Sequence, residues 1–95
     1  MKNLLGLVAG AVLLAGMALA QNLDDANKAY NGGHYAKALE LYKKLCDDKE
    51  AKACSSLGYM YRNGKGVSEN ATLAQQFYKK ACDAGDKESC SNVNW

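Results

Sequence analysis

The chain is 95 residues long, with 12 basic and 10 acidic side chains, four cysteines, one histidine and no proline. A net charge of +2 distributed through both signs excludes the clustered basic face that nucleic-acid binding needs, and a single histidine excludes a histidine-rich metal centre. So short a chain buries only a marginal core and calls for covalent support, which four cysteines can supply.

Residues 1–20 read differently from the rest. Lys2 opens a positive region, Leu4 to Leu19 is an uncharged apolar run, and Ala18-Leu19-Ala20 is a small-x-small pattern before Gln21. This predicts a cleavable export signal over 1–20 and a mature domain over 21–95. The apolar run of 16 residues contains three glycines and falls short of the roughly 20 of a spanning helix, so no membrane attachment is expected after cleavage. No cysteine closely follows the run, so bacterial lipid attachment is not indicated. The expected location is secreted or periplasmic. Without Lys2, 11 basic residues face 10 acidic ones, and charge selects no partner.

The mature part predicts helices throughout. A short piece over 23–31 comes first. Residues 35–46 place Tyr35, Ala38, Leu39, Tyr42 and Leu45 on one face, with Lys37, Glu40, Lys43 and Lys44 elsewhere. Residues 50–62 gather Cys54, Leu57, Gly58 and Tyr61 on one face, and Asn63-Gly64 supplies a left-handed stop. Residues 70–83 gather Ala74, Phe77, Tyr78 and Ala81 and stop at Gly85; a last piece covers 86–93, and Trp95 is either its packing plug or a loose tail. Asp47 and Glu50 stand at capping-box spacing, Asp86 and Asn70 are expected N-caps, and Val67 is expected to tuck against the core beside a tight turn at Gly66. Asn70-Ala71-Thr72 also fits the simple glycosylation acceptor, but a helix start explains it better.

The chain repeats itself. Cys46 and Cys54 recur as Cys82 and Cys90 after 36 residues, and Tyr42-Lys43-Lys44-Leu45-Cys46-Asp47 falls on Tyr78-Lys79-Lys80-Ala81-Cys82-Asp83. A period of this size marks a solenoid. The fold class is therefore all-α, a short stack of αα-hairpins. The first hairpin, with Ala26, Tyr30, Gly33, Tyr35, Ala38 and Tyr42, resembles a tetratricopeptide repeat. The second, with Leu57-Gly58-Tyr59-Met60-Tyr61, Gly64-Lys65-Gly66-Val67 and the block from Ala74 to Ala81, resembles the related Sel-like repeat. With Cys82 and Cys90 added, it is similar to the cysteine-rich secreted subfamily of Helicobacter and Campylobacter relatives. That family usually carries more repeats than the two, plus a half-helix, found in this chain.

Each cysteine pair spans the end of one helix and the start of the next. Pairing within each repeat, Cys46 with Cys54 and Cys82 with Cys90, is the local choice among three connectivities. Each bridge closes a loop of nine residues, for which the chain-entropy estimate is about 2.5–3 kcal/mol. A four-thiolate zinc site competes, but export favours disulfides and zinc pairs usually have two to four intervening residues. A redox site of the Cys-x-x-Cys kind is absent. No metal or other cofactor is expected.

The subfamily resemblance implies penicillin binding with weak hydrolysis, a β-lactamase label. The residues give it little support: no serine has a lysine three positions later, and Lys-Thr-Gly is missing. His34, before a helix and beside Gly33, reads as a surface turn residue rather than a base. Tyr59 and Arg62 fall off the apolar stripe on the side that lines the inner surface in tetratricopeptide-like arrays, and Lys28 is placed with them as a candidate ligand contact. The expected function is a scaffold for a protein or peptide ligand. The alternative is weak hydrolysis of β-lactams or recognition of a cell-wall fragment.

Overall fold

The computed structural model describes residues 22–93. The export signal expected at 1–20 and the role expected of Trp95 lie outside the described residues. Among the described residues five helices follow one another: α1 (Leu23–Asn31), α2 (Tyr35–Asp47), α3 (Ala51–Asn63), α4 (Ala71–Asp83) and α5 (Lys87–Asn92). Each packs chiefly on its neighbours in sequence, most extensively α3 on α4. Contacts of this local kind are those of a hairpin solenoid, and the all-α repeat class holds, with no strand among the described residues.

The corners are built alike. The helix runs into one residue with a left-handed backbone, and the next N–H bonds a carbonyl five residues back, which closes a Schellman-type cap. His34 bonds Ala29 at 2.8 Å, Glu50 bonds Leu45 at 3.0 Å, Lys65 bonds Met60 at 2.9 Å and Asp86 bonds Ala81 at 2.9 Å. The left-handed residue is Gly33, Gly64 and Gly85 at three corners, but Lys49 at the other, with φ 69°.

This closure corrects one expectation. Asp47 and Glu50 do not form a capping box: Asp47 is the last residue of α2, and Glu50 is the N-cap of α3 with no side-chain hydrogen bond. The cap carries α2 through Asp47 and leaves too few linking residues for a separate capping turn. A capping box does form at α1, where Asn22 Oδ1 accepts from the Asp25 N–H at 3.2 Å and Asp25 Oδ2 accepts from the Asn22 N–H at 3.3 Å. Asn70 caps α4 as expected, accepting from the Leu73 N–H at 3.0 Å. Asp86 occupies the N-cap of α5, yet its side chain makes no cap bond to the backbone. Instead its carboxylate accepts from Ser89 Oγ at 2.8 Å and lies 3.8 Å from Lys52 Nζ, which ties α5 back to α3.

Small residues set the helix spacing. Ala26, Ala38, Ala53, Ala74 and Ala81 are wholly buried, so the helices approach closely around Leu41, Leu57 and Met60. Gly58 goes further: a methyl group there would lie 2.9 Å from the Tyr78 ring, so α4 seats an aromatic ring directly on the backbone of α3. Tyr61 stacks on Phe77 with ring centres 5.5 Å apart.

The loop from 64 to 70, found only in the second hairpin, returns to the first. Gly66 has φ +74°, and a Cβ on it would fall 2.5 Å from Tyr35 Cβ, so the loop backbone rests against the start of α2. Lys65 Nζ stands 5.8 Å from the Tyr35 ring centre. Val67, expected against the core, is half-buried in this loop.

Candidate functional site

Each cysteine pair sits where one helix hands over to the next. Cys46 pairs with Cys54 and Cys82 with Cys90, and in both bridges the Cα atoms are 4.7 Å apart. The within-repeat pairing is thus the one present. The environments differ: Cys46 and Cys54 are 5 % and 2 % exposed, whereas Cys82 is half-buried and Cys90 exposed. Lys80, Asp83 and Ala84 of the second corner line a hollow of about 470 Å³ together with the first bridge, Asp47 and Lys49.

On the helix faces lies a tyrosine groove. Tyr30 from α1, Tyr42 from α2, and Ser56 and Tyr59 from α3 line a depression of about 310 Å³. Residue spacing explains the arrangement. Ser56 and Tyr59 are three apart on α3 and share a face, and α2 lies against both α1 and α3. Tyr30 packs edge-on against Tyr35 with ring centres 5.1 Å apart, and against Tyr59 at 6.4 Å. The Tyr42 hydroxyl donates to Asn27 Oδ1, which fixes the floor. Tyr59 is 48 % exposed, the one large apolar side chain so open among the described residues.

Electrostatics follow from this crowding. Burial raises the Tyr30 pKa above its ordinary value, with further increments from Tyr59 and Tyr35. Burial raises Tyr42 as well, and a hydrogen bond with Ser56 opposes it. Tyr78, the repeat-related partner of Tyr42, is raised by burial and held back by Arg62, whose guanidinium hydrogen-bonds it. These phenols stay neutral at physiological pH and act as hydrogen-bonding, apolar contacts.

The three candidate ligand contacts fall in different places. Tyr59 forms the rim of the groove, and Arg62, one turn further along α3, reaches Tyr78. Lys28 lines a separate hollow of about 410 Å³ with Asp25, His34 and Lys37, and its ammonium lies 3.4 Å from Asp24. His34 is the exposed N-cap of α2 and makes no side-chain cap bond. In the sequence, Tyr42 belongs to the apolar face of 35–46 and Tyr30 only to the tetratricopeptide-like series; the recurrence of tyrosine on successive helices is the signal for the groove. No cluster of three or more metal-binding side chains occurs among the described residues, and none of their helices is long and apolar enough to cross a membrane.

Comparison with known proteins places these features in a family. The Sel1 repeat profile matches residues 35–49 and 51–86. Similar proteins of Helicobacter pylori carry a candidate β-lactamase label in their names. HcpE is 45% identical over 42 residues, 44% of this chain and 12% of its own length. HcpD is 43% identical over 47 residues, covering 50% and 15%. HcpC is 34% identical over 65 residues, covering 64% and 22%. The chain therefore spans less than a quarter of the length of these relatives.

Proposed function

Because the chain belongs to the Sel1 repeat family, we propose that it is an exported, disulfide-stapled scaffold that binds an extended peptide segment of another protein in the tyrosine groove. The groove itself carries this reading. Tyrosine presents a large rigid surface with one polar end and loses little rotamer freedom on binding, which makes it a frequent anchor at interfaces. Tyr59 stands open, while Tyr30 and Tyr42 are held by their neighbours, so an incoming side chain meets a prearranged surface. Export rests on residues 1–20 together with the cysteine bridges, which persist in oxidising compartments.

The test is panning of a random peptide library against the oxidised protein, followed by titration of a selected peptide into Tyr59→Ala and Tyr30→Ala variants. A groove anchor loses about 2 kcal/mol on truncation, roughly 30-fold in affinity. Unchanged affinity in both variants rejects the groove as the site.

The names of the Helicobacter relatives favour a second reading, weak β-lactam hydrolysis or capture of a related cell-wall peptide. Turnover of a chromogenic β-lactam by the purified chain, abolished by Tyr59→Ala with Arg62→Ala, would favour it over the scaffold.

A further inference from the structure

We infer that the Cys82–Cys90 bridge is a thiol-exchange site, the point at which an external thiolate enters this chain, while Cys46–Cys54 stays closed. The two bridges have the same loop length and the same 4.7 Å Cα separation, so local chain geometry does not distinguish them. Access does. Thiol–disulfide exchange needs a thiolate to approach one sulfur in line with the bond that breaks. Cys46 and Cys54 are both buried, whereas Cys90 is exposed on α5.

The attacking thiolate forms a new sulfur–sulfur bond to Cys90 Sγ as the Cys90–Cys82 bond breaks, and the electron pair leaves on Cys82 Sγ. That thiolate then takes a proton from water, or attacks Cys90 again and expels the incoming thiol. One disulfide replaces another, so the step needs no oxidant.

Opening this bridge has a local consequence. Helix α5 is six residues long, too short to persist alone. Its other ties are its packing on α4, the buried Ser89, the corner bond from the Asp86 N–H to Ala81 and the ion pair from Asp86 to Lys52. Exchange therefore loosens α5 and uncovers the part of α4 beneath it. The tyrosine groove, built from α1, α2 and α3, keeps its lining.

The experiment treats the oxidised, purified chain with reduced glutathione under native conditions, quenches with iodoacetamide and maps adducts by mass spectrometry. Glutathione is expected on Cys90 at least about tenfold faster than on Cys46 or Cys54, because exchange rates follow access. Amide hydrogen exchange should then rise in residues 87–92 and stay unchanged in 51–63. Equal rates at the two bridges, or faster attack at the first, overturn the inference. A Cys82→Ser, Cys90→Ser variant serves as the control: with the helical signal retained, it should gain no adduct on the same timescale, and adduct formation at the wild-type rate would also overturn it.

Discussion

The two stapled corners are built from the same local sequence pattern, 36 residues apart, and differ in what surrounds them. At the first, the sulfurs are buried and the left-handed position is filled by Lys49; at the second, Cys90 is exposed and that position is Gly85. A covalent link acts through the unfolded chain and is similar for equal loops, whereas the packing around it depends on what the stack places above. The same contrast runs through the tyrosines. Tyr42 and Tyr78 are repeat-related and both buried, but one is supported by Ser56 and Asn27 and the other by Arg62.

The strongest way to break this comparison is to remove each bridge in turn. Cys46→Ala with Cys54→Ala should cost about 3–5 kcal/mol, the loop term plus a cavity, while Cys82→Ala with Cys90→Ala should cost about 2–3 kcal/mol. Urea melts of both variants decide it, and a larger loss at the second corner contradicts the burial argument. Next comes the loop that only the second hairpin has. Gly66→Ala forces a left-handed alanine into the Tyr35 side chain, with an expected loss of about 2–3 kcal/mol in the same melts; a loss below about 1 kcal/mol would mean the loop is not seated there.

A smaller effect sharpens the contrast at the left-handed position. Lys49→Gly should raise stability by about 0.5–1 kcal/mol, and Gly85→Lys should lower it by about 1 kcal/mol, because a side chain at positive φ crowds its own backbone. Thermal melts in which both changes have the same sign would show that the corners are not equivalent in backbone. The last prediction concerns pH. Tyr30, Tyr42 and Tyr78 have folded pKa values raised above the ordinary 10.0, so the unfolded chain releases its phenolic protons first and stability falls as pH rises past 10. Removing the cation with Arg62→Ala should push the Tyr78 transition higher still, read by tyrosinate absorbance, and leave that of Tyr42 in place.

Much of the fold was legible because its signals are local. Apolar residues at helical spacing marked α2, α3 and α4 to within a residue at each end, and Gly64 and Gly85 marked two stops through the backbone freedom a left-handed turn requires. Lys49 escaped notice for the converse reason: nothing in a lysine advertises positive φ, and only alignment with Gly85 across the repeat exposes it. The capping box expected from Asp47 and Glu50 failed because the cap at the end of α2 claimed the same few residues. At the candidate site, its position off the apolar stripe of α3 singled out Tyr59, but Tyr30 and Tyr42 look in sequence like ordinary core aromatics. Lys28 was grouped with Tyr59 from helix position, yet it lines a different hollow.

The amino-acid sequence by itself determined the period, the helices, the corner positions and which cysteines could meet, since each depends on residues within about one turn or one hairpin of one another. Tertiary structure alone decided which bridge is covered, which tyrosines converge on a groove and where the long loop rests. Those outcomes come from packing side chains of separate helices into one space, a relation that no run of consecutive residues contains.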